Sequence, residues 1–484
     1  MLAHVAALLL SVAVTADAAP WPKPSADPAA EPAASTAPAA APAAATTPVA
    51  PAVPEVSTTL PPAIGFGTYG RLQLGYDMAD KPGAPVNVVG HGPRLIEGSY
   101  QELDFYFRML DPRGENKTDA SLVTALGFDE DLFHYDGKFA ATIAVRNLYV
   151  EMRNVVTKDL DVWFGSRMYR GDDQYLLDFW PLDNLNTLGG GISYAIKGLK
   201  LDLHAGANRL DNAYQLQIVR TGSADAQGQD LIVLDRQRSV VSLRATYPIG
   251  PVNARVYLER HDLPAGQRVN QATGEKQVLP RDEGWVFGAQ VSGGHAGFSG
   301  MLVGKIGTGL GAFGDLTVPY GFALDRTITG AKLGLVAANV AYESARFSVP
   351  VSAYFASFRD ASGLEVNGRD YEEVVVNARP VVYLTDLIHL ALDVSYQLRA
   401  PHTMTADGSR PVRADVWQVG VMPMIVPGGQ GMWTRPSIRL IYAVRFLNGD
   451  ARDQLFPKDD LRNGRKVSQF IGAGVEWWFN SSYR

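Results

Sequence analysis

From Gly65 to the end of the chain, apolar and polar residues alternate with a period of two, and this pattern limits the fold more than any other feature of the sequence. Tyr69, Arg71 and Gln73 alternate with Leu72, Leu74 and Tyr76. Glu102, Asp104, Tyr106 and Arg108 alternate with Leu103, Phe105, Phe107 and Met109. The pattern recurs at Leu387 to Leu398 and again around Ser437, Arg439 and Arg445. A soluble sandwich and a membrane barrel both alternate in this way. Three features favour the barrel. The segments run to about 9–12 residues, the length a tilted membrane strand needs. Aromatic residues stand near the ends of their apolar faces, as at Tyr442, Phe446, Trp477 and Phe479. The connections alternate between short and long.

That rhythm can be counted. Strands are expected to begin near 66, 99, 118, 139, 159, 190, 199, 238, 252, 284, 296, 329, 345, 372, 386, 414, 434 and 468, which makes eighteen. Tight turns are expected at Lys197-Gly198, Pro248 to Pro251, Ser292 to His295, Glu343-Ser344 and Thr385-Asp386. Long loops are expected at 78–98, 168–189, 209–237, 261–283, 306–328, 359–371, 399–413 and 447–467. An even strand count with short turns at one end and long loops at the other predicts an all-β fold, a transmembrane antiparallel β-barrel. A barrel of this size encloses a water-filled lumen.

Composition removes most other classes. The chain has 484 residues, 46% hydrophobic and 19% charged, with a formal net charge of -6. No apolar run past the N-terminus is long enough to cross a membrane as a helix. The mild acidity offers no basic face for nucleic acid. With no cysteine there is no disulfide and no thiolate nucleophile or metal ligand. The eight histidines form no recognisable Ser/His/Asp arrangement or His-x-x-x-His pair. No enzyme activity, metal or cofactor is expected.

At the N-terminus, Val5 to Val14 is apolar and Ala16-Asp17-Ala18 has a small-x-small cleavage pattern, although His4 stands where Lys or Arg is usual. Residues 1–18 therefore read as a signal peptide. Residues 19–63, nearly all Ala, Pro, Thr and Ser, read as a semi-stiff linker. The barrel domain is expected over 64–484, placed in the outer membrane of a bacterium.

Gly165-Ser166-Arg167-Met168-Tyr169-Arg170-Gly171-Asp172-Asp173-Gln174-Tyr175-Leu176-Leu177-Asp178-Phe179-Trp180 resembles the third-loop signature of the maltoporins, the sugar-specific porins. Phe66 to Arg71 is similar to that family's first strand, and Arg94 with Tyr100-Gln101-Glu102-Leu103 to its second. Arg146, the run Trp433 to Arg439 and the run Gly472 to Phe479 follow in the same order. The resemblance implies an eighteen-stranded barrel assembled as a homotrimer, with its third loop folded inward as a constriction. It further implies an aromatic strip containing Tyr69, Tyr100 and Trp478, and a polar track of Arg71, Arg94, Glu102, Arg146, Arg170, Asp172, Asp173 and Asp178. Trp180 would narrow the pore. Phe133, Tyr135 and Trp433 are candidates for the rest of the strip. Arg146 is awkward, because its face also carries Ala144, Leu148 and Val150 while Asn147, Tyr149 and Glu151 lie opposite. Either that strand borders a subunit interface or the carry-over fails there.

The chemistry suits a sugar. Aromatic faces stack on its C–H faces, while guanidinium and carboxylate groups exchange charge-assisted hydrogen bonds with its hydroxyls. Transport needs several weak sites in series. Carbohydrates such as maltodextrin-like oligosaccharides are thus the expected solutes and outer-membrane lipid the surrounding partner. The alternative is a general or anion-selective pore using Arg71, Arg94, Arg108, Arg146, Arg170, Arg439 and Arg445, against which Glu102, Asp104, Asp178 and Glu476 weigh.

Overall fold

The structure, a computed structural model, describes residues 63–78, 81–129, 143–221 and 229–481. The expected signal peptide and all but the last residue of the linker lie outside them, as do Phe133 and Tyr135. Eighteen long strands form one closed antiparallel sheet. They are β1 (Ile64–Tyr76), β2 (Tyr100–Arg113), β3 (Thr118–Asp129), β4 (Ile143–Arg153), β5 (Leu160–Arg170) and β6 (Asn184–Ile196). Next come β7 (Leu199–Asn208), β8 (Arg238–Ile249), β9 (Val252–Leu263), β10 (Asp282–His295), β11 (Phe298–Gly309) and β12 (Lys332–Glu343). The last six are β13 (Phe347–Arg359), β14 (Asn367–Ala378), β15 (Ile388–His402), β16 (Ala414–Ile425), β17 (Ser437–Leu447) and β18 (Val467–Phe479). β1 pairs with both β2 and β18, which closes the barrel and leaves no edge.

Burial decides between sandwich and barrel. Along β17 the polar Ser437, Arg439 and Arg445 are buried, whereas Ile438, Leu440 and Phe446 are 51%, 61% and 49% exposed. A water-soluble sheet shows the reverse; an apolar outer face is what lipid requires. Aromatics gather at both rims of that face. Phe298, Tyr342 and Phe347 cluster beside the short turns. Tyr396 and Trp417 meet at 4.6 Å near the long loops.

Most strands begin within a few residues of their expected places, and the exceptions have physical causes. β6 starts at Asn184, well before 190, because its pairing with β5 continues from Gly189 up to Arg170↔Asn184 inside the barrel. There Leu185 turns inward and Leu188 outward, so apolar residues stand on both faces and the alternation is lost. β14 starts at Asn367 through an irregular register between Asn367 and Tyr371. The sixteenth strand is followed by no tight turn but by residues 426–436, so the short-long rhythm breaks at that point.

Three long loops fold into the lumen. Of the loop 77–99, residues 81–99 lie along the inner wall of β13 to β17. There the Val88 amide donates to Gln397, the Gly90 amide to Glu373 and the His91 amide to the Tyr354 hydroxyl, at 3.1, 3.2 and 3.1 Å. Residues 171–183 cross from β5 and β6, and residues 310–331 cover the wall of β8 and β9. Val86, Val88, Val89, Leu177, Phe179 and Leu182 from the first two loops make an apolar core with wall residues such as Val303, Leu335 and Val416. The hydrophobic core of this barrel therefore sits inside it, between loops and wall.

Candidate functional site

Glu476 on β18 is wholly buried and gathers the lower lumen around its carboxylate. It accepts from Arg94 Nη2 at 2.9 Å, from Arg435 Nε at 2.9 Å and from the Tyr175 hydroxyl at 2.7 Å, and also from Arg439. The Tyr69 hydroxyl reaches the same carboxylate at 3.3 Å and receives hydrogen bonds from Arg94 and from Arg71 Nη1. Glu97 completes the group, 2.6 Å from Arg94 Nε and 3.1 Å from Arg71 Nη1. Tyr69 is 0% exposed, so neither of its ring faces is open. Trp478 stacks on it at 6.5 Å, and Arg435 lies 4.1 Å from the Trp478 ring centre.

Tyr100 stands beside this group, its ring 6.2 Å from that of Tyr69 and partly exposed to the lumen. Its hydroxyl donates to Glu102, which also takes Arg146 Nε at 2.7 Å. The guanidiniums of Arg71 and Arg146 lie 5.5 and 5.4 Å from the Tyr100 ring centre. Arg146 reaches this place through a β-bulge. The register of β4 against β3 jumps from Asn147↔Ala125 to Val145↔Leu126, leaving Arg146 unpaired. A bulge adds one residue and reverses the facing of everything beyond it. Leu148 and Val145 thus face outward, 47% and 54% exposed, while Arg146, Asn147 and Tyr149 all turn inward. The conflict in the sequence pattern came from counting through the bulge.

The loop 171–183 enters the lumen because β5 leaves β4 early. Those strands pair only from Met152↔Val162 to Leu148↔Ser166. Gly165 marks the parting with φ 146, and a Cβ there would come within 2.3 Å of the Leu148 carbonyl oxygen. Beyond it, the Asn147 side chain accepts from the Met168 amide at 2.9 Å in place of a strand neighbour. The loop then spans the barrel. Asp172 pairs with Arg255 at 3.0 Å, the Asp173 carbonyl accepts from Asn339 at 3.4 Å, and Asp178 lies 3.7 Å from Arg71. Asp178 itself takes the left-handed conformation, φ 47, after the single turn Tyr175–Leu177. Trp180 is buried under Arg170, whose guanidinium is 3.9 Å from its ring centre.

The sequence-predicted residues fall into two neighbourhoods. Tyr69, Arg71, Arg94, Tyr100, Glu102, Arg146, Asp178 and Trp478 come together, while Asp172 meets the opposite wall with Arg255, Asp173 meets it with Asn339, and Arg170 caps Trp180. Several participants were not foreseen. Tyr175 is one, and it packs edge-on at 5.1 Å against Trp433, a candidate for the strip, because residues 426–436 fold inward. Arg244 on β8 ties Asp183 of the inward loop and Asp202 of β7 at 2.7 and 3.0 Å. Arg167 lies 4.5, 4.9 and 5.7 Å from the rings of Tyr149, Trp163 and Tyr169. Strand parity could have found Arg244; Glu97, Tyr175 and Arg435 sit on loops, where parity gives no signal.

Solved barrels resemble this one in outline. Pseudomonas aeruginosa OccK10 (OpdN) is 12% identical with a TM-score of 0.43, covering 86% of this chain and 99% of that one. Acinetobacter baumannii OccAB1 is 11% identical with a TM-score of 0.43, covering 86% and 96%. The trimer form of in-vitro folded OmpT of Vibrio cholerae is 12% identical with a TM-score of 0.39, covering 86% and 100%. No curated protein matches the chain. The LamB porin family, however, matches residues 64–479, from the first residue of β1 to the last of β18. The closed lipid-facing barrel, its inward loops and this match together make the chain a member of the LamB porin family, a channel of the bacterial outer membrane.

Proposed function

We propose that this porin passes carbohydrates by passive diffusion, maltodextrin-like oligosaccharides foremost, and that it works as a homotrimer. The observation that carries the reading is Tyr100: a partly open ring beside two guanidiniums, each already bonded to a carboxylate. Such a group offers a sugar one apolar face and a rim of donors and acceptors at once. Tyr69 contributes differently, its buried hydroxyl setting the positions of Arg71 and Arg94 rather than offering a face. The pairing of Arg71, Arg94, Arg146, Arg244 and Arg255 with carboxylates counts against a general anion pore.

The test is single-channel current in a planar bilayer with the maltose series added. Saturable block is expected, weakened about ten-fold by Tyr100→Ala, since a lost stacking face with its hydrogen bonds amounts to about 1.4 kcal/mol. Current indifferent to every sugar, together with a reversal potential that favours anions in a salt gradient, would support the anion-pore alternative instead.

A further inference from the structure

The cations of the inner wall are nearly all satisfied, and Lys305 stands apart from them. It faces the lumen from the middle of β11, since the inward Met301 and Val303 precede it at intervals of two and Ile306 beside it is 60% exposed to lipid. Its cross-strand neighbours are Gly288 on β10 and Leu335 on β12. Leu182 of the constriction loop closes over Gly288, where an added Cβ would meet it at 2.5 Å. His91 of the 77–99 loop and Asp183 of the constriction loop both lie within electrostatic reach of the ammonium. Lys305 thus stands where the two inward loops approach the wall.

Among the described residues, nothing donates to or accepts from this side chain, and no carboxylate forms a contact pair with it. The two acids that feel it are engaged elsewhere. Asp183 is held by Arg244 at 2.7 Å, and Glu259 is bonded by both His261 and Tyr257. Asp172 of the same loop is held by Arg255 at 3.0 Å. A contact ion pair acts at a distance as a dipole, whose field falls faster than that of a bare charge. The row across the wall repeats the contrast: Arg244, Tyr257, Gly288, Lys305, Leu335, Ala356, Glu373 and Arg399 follow one another in register. In that row Glu373 and Arg399 pair at 2.8 Å, and Lys305 alone among the charges has no bonded partner. The residue is also partly exposed, and its three N–H donors have no partner among the described residues.

From this we infer that Lys305 is a binding site for the acid group of a passing solute, and that the channel favours carbohydrates bearing a carboxylate or phosphate over neutral ones of equal size. The inference rests on the carbohydrate reading above and adds a substrate class to it. The aromatic and hydroxyl-binding group around Tyr100 would hold the ring, while the ammonium would read the charge across the constriction.

The experiment measures current block of the wild-type channel and of Lys305→Met and Lys305→Arg in a planar bilayer. Its probes are maltose, a digalacturonate of similar size, glucose 6-phosphate and inorganic phosphate. The wild type is expected to bind digalacturonate and glucose 6-phosphate at least about five-fold more tightly than a neutral sugar of matching length, as a charge-assisted bond in a partly enclosed site allows. Lys305→Arg should keep that ratio and Lys305→Met should bring it to about one, with maltose block as the internal reference for a folded pore. A ratio unchanged in Lys305→Met, or a wild type that binds both classes alike, overturns the site while leaving the carbohydrate reading intact. Inorganic phosphate blocking as well as the sugar acids would show an anion site without carbohydrate selection, and overturns the substrate class. Absence of block by any sugar sinks both readings together.

Discussion

Glu476 has no access to water and has three guanidiniums around it, so its charge is the condition under which Arg94, Arg435 and Arg439 can share one small volume. Removing one partner of a buried ionic group leaves its neighbours uncompensated, at a cost of about 3–5 kcal/mol. Glu476→Ala is therefore expected to lower the unfolding temperature and release the 77–99 loop, read as new protease cleavage near Arg94; a cut pattern and melting point like the wild type's would contradict this role. The same scale shows what the sequence could disclose. Tyr69, Arg71, Tyr100 and Glu102 were legible as lumen residues because they lie on unbroken strands, where alternation reports facing directly. Arg146 was not, because a single extra residue in β4 reverses the count, and a bulge leaves no mark in the alternation except a contradiction. Exposure within the lumen was also hidden: parity puts Tyr69 inside but cannot say that Arg94 and Trp478 cover it.

Among the elements, the constriction loop depends on where β5 parts from β4. Gly165 combines a backbone conformation disfavoured for other residues with a space a Cβ cannot enter. Gly165→Val should force the parting strands to shift, costing about 1–3 kcal/mol and altering unit conductance; a variant with wild-type conductance would show that the loop finds its place without that hinge. The 310–331 loop is fixed partly by Asp315, which accepts from the Asn186 amide at 2.6 Å. Burial, only partly offset by that amide and by Arg238, pushes its carboxyl up to about 6. A raised acid pKa favours the folded loop below the unfolded value near 4, and that advantage is lost as pH rises through about 6. The loop should accordingly resist proteolysis better at pH 5 than at pH 7.5, and Asp315→Asn should flatten the difference. The strand rhythm, which foretold eighteen strands, could not foretell either docking, because inward loops leave the period-two regime and follow ordinary globular packing.

For the whole molecule, the lumen is unequally furnished. The inner wall of β13 to β17 is spent on holding the 77–99 loop, while the wall of β1 to β5 keeps Arg71, Tyr100 and Arg146 partly open. A solute's path is expected along the second wall, so Gln397→Ala should loosen the loop and raise current noise while leaving the order of sugar preference unchanged. The link between Arg94 and Glu476 spans 382 residues, and that between Tyr69 and Glu476 spans 407. Contacts so distant in sequence form late, because the chain between them must be ordered first. The first long loop to leave the exit tunnel must then wait, without its carboxylate, until the last strand arrives. A chain stalled before β18 would keep Arg94, Arg435 and Arg439 crowded in the lumen without the one carboxylate that compensates all three.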